Sequence, residues 1–304
     1  MRVLVTGASG WIGSAVVPEL LGAGHDVVGL ARSESSAAVL TAAGAGVLRG
    51  TLDDLDVLRD AAAASDAVLH LAYKHDVAFA GGPADAAAAD RRAIETFGGA
   101  LAGTGRPLVI ASGTLGVAPG RPVTERDGWD PAPASGPRLA AAQLALSFEP
   151  RGVRPVVVRL PPTVHGEGDP GFITVLVGIA REKGVSGYIG DGAQRWPAVH
   201  RDDAARLFRS ALEDAPAGAV LHAVADEGVP IRDIAEVIGR GLGVPAVPVA
   251  QPDAGGHFGW LAPMLAVDGP ASSALTRELL GWRPSGPGLL DDLGKGHYFQ
   301  APPA

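Results

Sequence analysis

Through the first 160 residues, short apolar runs of strand type alternate with stretches whose apolar residues recur at helical spacing. Val3, Leu4 and Val5 form the first run, and Ile12, Val16, Val17, Leu20 and Leu21 follow on one helical face. Pro18 lies inside that helix and should bend it, while Gly22 and Gly24 end it. The pattern then predicts a strand over Asp26 to Ala31, a helix over Ala37 to Ala43 and a strand over Gly46 to Arg49. Asp53 or Asp54 is expected to cap the next helix, which runs to Ala64. A strand follows over Ala67 to Leu71, then a helix over 84–104 and a strand over Leu108 to Ala111. Beyond a Gly- and Pro-rich loop at 116–137 come a helix over 138–148 and a strand over Pro155 to Leu160. Near-continuous apolar strands separated by helices specify a parallel sheet covered on both faces, with right-handed crossovers.

After Pro161 the rhythm breaks. A helix is expected over 171–183, a short strand over Gly187 to Gly190, a helix over Asp202 to Leu212 and a strand over Val220 to Val224. An amphipathic helix over 231–242 precedes a proline-rich tail of short elements. The pattern predicts an α/β protein with a doubly wound parallel sheet and a smaller C-terminal α+β domain. The expected boundaries are 1–165 plus 197–224 for the first domain and 166–196 plus 225–304 for the second.

The first strand runs directly into Gly7-Ala8-Ser9-Gly10-Trp11-Ile12-Gly13. Strand, glycine turn and helix in that order form a dinucleotide-binding motif. Gly7 makes the tight turn, Gly10 admits the pyrophosphate and Gly13 allows close helix packing. The uncovered amides of the helix N-terminus then face the phosphates.

In such a sheet the ligand lies beyond the carboxyl ends of the strands, so each strand nominates its trailing residues. Arg32 and Ser33 follow the second strand, where a carboxylate would select the 2′-hydroxyl of NAD. A guanidinium there pairs instead with a 2′-phosphate in a charge-assisted contact of about 1.5–3 kcal/mol, so NADP(H) is expected, with NAD(H) the alternative. Thr51 and Leu52 fall beside the adenine. Leu71, Ala72, Tyr73, Lys74 and His75 fall near the ribose and nicotinamide, and Ser112 and Thr114 offer hydroxyls at the nicotinamide end. Pro161 and Pro162, leading to His165, shape the wall behind the ring.

Composition narrows the picture. The chain has 304 residues, 47% of them hydrophobic, a net charge of -8 and no cysteine. The acidic balance argues against nucleic acid and anionic membranes as partners, and the missing thiols remove disulfides, thiolate nucleophiles and cysteine metal sites. No apolar run reaches membrane-spanning length, and the first strand leaves no room for a leader. The expectation is a cytoplasmic protein, a monomer or homodimer, acting on a small molecule. The histidines show no helical ligand spacing, so no metal is expected.

The stretch Val5 to Gly13 resembles the fingerprint of the extended short-chain dehydrogenases/reductases, the NAD-dependent epimerase/dehydratase superfamily. Three further stretches are similar to it in the same order: His70 to Ala72, Arg159 to Gly166, and Val199 to Ala205. Leu279 to Pro284 resembles the family's Leu-Gly-Trp-x-Pro near the C-terminus. The resemblance spans nearly the whole chain and implies a Rossmann domain, a smaller substrate domain and nicotinamide chemistry. It also implies a Tyr-x-x-x-Lys pair as the proton relay, yet none of the three tyrosines, Tyr73, Tyr188 and Tyr298, has lysine four residues on. The region where the pair belongs, Ser135 to Ala140, offers Arg138 as its cation. Thr51 replaces the family's usual aspartate beside the adenine. This marks an atypical member. Tyr73, His75 and His165 are the candidates for the missing acid, with Ser112 and Thr114 to hold the reacting group. His70 reads as a packed core residue, and His200 as a pocket or packing residue.

The expected activity is NADPH-dependent reduction of a carbonyl or imine in a small, fairly apolar metabolite. An epimerase or dehydratase without net redox, and a non-catalytic dinucleotide sensor, remain the alternatives.

Overall fold

The computed structural model describes residues 1–115, 117, 121–127 and 136–300. In the first half, strands β1 (Arg2–Thr6), β2 (Asp26–Ala31), β3 (Gly46–Arg49), β4 (Ala67–His70) and β5 (Pro107–Gly113) alternate with helices. These are α1 (Gly13–Gly22), α2 (Glu34–Ala42), α3 (Leu55–Ala63), α4 (His75–Phe79) and α5 (Pro83–Leu101). Helix α6 (Gly136–Leu146) leads to β6 (Arg154–Leu160) and β7 (Thr163–His165), then α7 (Phe172–Lys183), β8 (Ser186–Ile189), β9 (Arg195–His200) and α8 (Arg201–Asp214). The rest comprises β10 (Ala219–His222), β11 (Asp226–Pro230), α9 (Ile231–Leu242), β12 (Ala246–Val249) and four short helices. Those are α10 (Ala254–Phe258), α11 (Ala262–Leu265), α12 (Ala274–Leu280) and α13 (Leu289–Gly294).

Seven strands pair in parallel in the order β10-β6-β5-β4-β1-β2-β3, a Rossmann-type sheet whose order reverses between β1 and β4. The alternation of side chains along each strand explains the three layers. Val3 and Val5 of β1 and Leu69 of β4 point into one apolar layer with Val16, Val17 and Leu20 of α1 and Leu207 and Phe208 of α8. Leu4 and Val68, between them, point to the opposite layer with Leu58 of α3, Ile94 and Phe97 of α5 and Ala142 of α6. With both faces covered, the strands read as unbroken apolar runs in the sequence. Helix α1 passes through Pro18 without a break. Asp54 stands at the N-terminus of α3 but makes no side-chain cap, because its carboxylate accepts from Thr51 N (2.7 Å) and Thr51 Oγ1 (2.8 Å).

A second region is built on the three-stranded sheet β11-β9-β7 and the parallel pair β12-β8. Its core holds Ile173 and Val177 of α7, Trp196 of β9, Ile234 and Ile238 of α9, and Leu289 and Leu293 of α13. Strands β7, β9, β11 and β12 are absent from the sequence expectation. They are three to six residues long and carry or adjoin Pro161, Pro162, Pro197, Pro230 and Pro248, so no period develops. Two motif stretches meet behind the sheet. Trp282 Nε1 donates to Asp203 O (3.1 Å), and the buried Asp203 carboxylate accepts from Ser285 N and Gly286 N, each at 2.8 Å. Among the described residues no helix is long and apolar enough to cross a membrane.

Candidate active site

The turn after β1 is pressed against the backbone at the end of β4 and folded tightly on itself. Gly7 has φ +67°, and a Cβ there would lie 2.7 Å from Ala72 N; at Gly13 it would lie 2.1 Å from Gly7 O. Neither position can hold a side chain without moving backbone. Gly10 N donates to Gly7 O (3.0 Å) and Ser14 N to Gly10 O (2.8 Å), with Ala8 buried beneath. No side chain caps α1 at Ile12, so the amide end of the helix stays available to an anion. A bare cradle at the point where the strand order reverses fits a dinucleotide pyrophosphate. Trp11 fixes the turn from the other side: its Nε1 donates to Val164 O (2.8 Å) and the Arg201 guanidinium stacks on its ring at 4.3 Å.

Beyond β2, the Arg32 side chain is 69% exposed and donates through Nη1 to Asp76 Oδ2 at 2.9 Å. Ser33 caps α2 by accepting from Ser36 N (3.1 Å). Leu52 is buried, whereas Thr51 is exposed and turned onto Asp54. Asp53 takes Lys74 Nζ (2.5 Å) and Arg92 (3.3 Å), and its hydrogen bond with Lys74 holds the carboxyl below its usual value despite some burial. Leu71 and Ala72 are half-buried, and Ala72 N donates to Thr6 Oγ1 (3.3 Å). Pro161 is buried and Pro162 half-buried on the far side.

At the ends of β4 and β5 the structure gathers the candidate chemistry. Ser112 Oγ and Thr114 Oγ1 are buried and, among the described residues, have no hydrogen-bond partner; Thr114 is held by its backbone N to Leu160 O at 3.0 Å. Tyr73 stacks edge-on against His75 with ring centroids 5.0 Å apart, and Arg138 lies over the Tyr73 ring at 4.4 Å. Arg138 also donates to Ala111 O (2.9 Å) and pairs with Asp90 Oδ2 at 3.5 Å. Asp90 Oδ1 meets His70 Nε2 (3.0 Å), and His70 Nδ1 meets Thr6 Oγ1 (2.6 Å). Burial raises the Tyr73 phenol pKa, an effect the Arg138 charge only partly offsets, so the phenol keeps its proton. Burial, then the same cation, lowers the His75 pKa and favours a neutral imidazole.

The model of the NAD dependent epimerase/dehydratase family matches residues 3–224. The chain belongs to that family. It is an NAD(P)-dependent oxidoreductase-like enzyme. An uncharacterised protein of Schizosaccharomyces pombe is 47% identical over 98% of this chain and 100% of its own length. The 2′-dehydrokanamycin reductase of Streptomyces kanamyceticus is 32% identical over 83% of this chain and 70% of its own. Among solved structures, the dTDP-glucose 4,6-dehydratase DesIV of Streptomyces venezuelae superposes with a TM-score of 0.78 at 22% identity. That match covers 98% of this chain and 97% of DesIV.

Against this family background, His165 sits apart from the other candidates. It ends β7 in the small sheet, is fully buried, and bonds through Nδ1 to Asp292 Oδ2 at 2.9 Å. Burial lowers its pKa against the pull of Asp292, so a neutral imidazole donates to the carboxylate. Burial also opposes ionisation of Asp292, but the bonds from His165 and Lys295 outweigh it and keep that carboxyl low. Beside it, Tyr298 Oη donates to Asp169 Oδ2 (2.9 Å) and accepts from Gly166 N (3.2 Å). Burial raises Asp169 to about 6. His200 faces His165 edge-on at 5.5 Å. Sequence reasoning did not select Asp90 or Asp76. Asp90 lies in an Ala-rich helix and Asp76 in an apparent loop, and neither shows a spacing that signals its partner. Ser135 lies outside the described residues.

Proposed function

We propose that the protein is an NADPH-dependent reductase of a carbonyl or imine group in a small, fairly apolar molecule. The observation that carries this reading is the pair of buried hydroxyls at the carboxyl end of β5, Ser112 Oγ and Thr114 Oγ1, which have no hydrogen-bond partner among the described residues. A buried hydroxyl without a partner is unfavourable by about 1–3 kcal/mol, a deficit that a substrate oxygen or nitrogen placed there would remove. When bound, the nicotinamide supplies the hydride. The two hydroxyls orient the accepting group and hold the charge that develops on its heteroatom. The Tyr73 phenol, protonated and held under Arg138, gives its proton to that heteroatom. Arg32 supports NADPH over NADH because its exposed guanidinium matches a 2′-phosphate.

Leu115, directly after Thr114, packs with the apolar cluster of the small sheets. Phe172 lies 5.8 Å from Trp196 and 5.9 Å from Trp260. The partly exposed rings of this group, Phe172 and Trp260, favour an apolar substrate body, and one similar protein is named as the ketoreductase of a farnesyl-substituted quinoline oxide. The segments 166–196 and 225–304 then form the substrate side, and 1–165 with 197–224 the cofactor side.

The test is NADPH consumption at 340 nm over a panel of apolar ketones, aldehydes and imines. Consumption matched by reduced product supports the reading. Product formed without net oxidation assigns a dehydratase or epimerase instead, and tight binding with no turnover across the panel assigns a sensor.

A further inference from the structure

The partner of Arg32 is 44 residues away in sequence. Asp76 is the second residue of the short helix α4, directly after Tyr73, Lys74 and His75. Its Oδ1 accepts from Val77 N at 3.0 Å, which turns Oδ2 outward to the Arg32 guanidinium at 2.9 Å. The two side chains are 69% and 58% exposed, and an exposed pair of this kind adds little to the stability of a fold. Its importance lies in where it stands. The carboxylate takes one donor, Nη1, of the planar fork that a phosphate would use.

We infer that Asp76 is the resident counterion of the 2′-phosphate subsite: it holds Arg32 while the subsite is empty, competes with the phosphate for it, and so sets the NADPH to NADH preference. The inference rests on the reading of Arg32 as the phosphate cation. A 2′-phosphate that takes the Arg32 donors displaces the carboxylate and leaves two anions beside one cation. A 2′-hydroxyl leaves the pair intact and has an acceptor in Asp76. Here the reader is shared between the ends of β2 and β4, and the β4 residue tempers the selectivity of the β2 residue.

The experiment measures dissociation constants for NADPH and NADH by quenching of tryptophan fluorescence, with Trp11 in the glycine turn as a nearby reporter. It uses the wild type, Asp76→Asn, Arg32→Gln and the double variant, at low and at 0.5 M salt. Asparagine retains the oxygen that accepts from Val77 N. Asp76→Asn is expected to tighten NADPH about two- to fivefold, without tightening NADH. The gain should vanish in the double variant and shrink at 0.5 M salt, where the Debye length falls to a few ångströms. Arg32→Gln should weaken NADPH roughly tenfold or more. Unchanged or weaker NADPH binding in Asp76→Asn, with the Arg32→Gln loss intact, overturns the counterion and leaves the Arg32 reading standing. An NADPH to NADH ratio that Arg32→Gln does not move overturns the Arg32 reading, and the counterion with it.

Discussion

His70 and His165 are both buried imidazoles bonded to a buried carboxylate, His70 Nε2 to Asp90 at 3.0 Å and His165 Nδ1 to Asp292 at 2.9 Å. What lies beyond each pair differs. From Asp90 the contacts pass to Arg138 and from there to the Tyr73 ring; from His70 they pass to Thr6, directly before the glycine turn. That network ends where the strands open. From Asp292 they pass to Lys295 (3.3 Å) and His297 (3.7 Å), and the neighbouring Asp169–Tyr298 bond ties the turn at His297–Phe299 to Gly166. This second network closes the C-terminal segment onto β7. The same pair of side chains thus leads to the candidate site in one sheet and ties down a C-terminal turn in the other, according to which strand end it occupies.

Removing the Tyr73 hydroxyl tests the open network most severely. Tyr73→Phe should lower turnover by about 10²–10⁴-fold. The NADPH dissociation constant should stay at the wild-type value, and stability should remain within about 0.5 kcal/mol. Turnover within threefold of wild type would place the proton donor elsewhere.

Asp292→Ala strikes the closed network. It leaves the buried His165 Nδ1–H without its acceptor, and chemical denaturation should show a loss of about 1–3 kcal/mol. The folded fraction should still bind NADPH as the wild type does. A loss below about 1 kcal/mol would remove the anchoring role from this pair.

The closed network also predicts a pH dependence. Asp169 titrates at about 6 in the fold, against 3.8 for the free carboxyl. Between those values the folded state binds more protons than the unfolded one, so Asp169 makes stability fall as pH rises through that window. Asp169→Asn removes the effect, and its stability relative to wild type should rise by up to about 3 kcal/mol between pH 4 and pH 7. His222, lowered to about 4 mainly by burial, acts with the opposite sign: its contribution is present above pH 6.5 and lost as pH falls toward 4. In Asp169→Asn that decline should stand out more clearly. A difference between variant and wild type that does not change with pH would contradict the assignment. The smallest effect belongs to a control outside both networks: Ser33→Ala removes the α2 cap and should lower stability by about 1 kcal/mol, with the pH profile unmoved.

The contrast also explains what the sequence revealed. Val3 to Val5, Gly29 to Ala31 and Val156 to Val158 are buried on both faces, so their apolar runs announce a parallel sheet, and Gly7 and Gly13 stand where backbone approach forbids a side chain. These are local constraints, legible over a few residues. Ser112 and Thr114 were readable for the same reason, as the residues at the end of a buried strand. The stack of Arg138 on Tyr73, the Asp90–His70 bond and the Arg32–Asp76 pair join residues 65, 20 and 44 positions apart, and no periodicity encodes them. The strands β7 and β9 stayed hidden because a three-residue strand and a proline-bearing one leave no alternating pattern. His165 therefore read as a trailing residue of β6, when it ends a strand of its own.

The most direct test of the central claim follows deuteride from 4-deuterated NADPH to product, in wild type and in a Ser112→Ala, Thr114→Val double variant. The account predicts deuterium on the reduced carbon in the wild type. It also predicts a fall of about 10²–10³-fold in turnover for the variant, at unchanged NADPH affinity. Product that accumulates without deuterium from either the 4R- or the 4S-labelled cofactor, or equal turnover by the two proteins, would contradict it.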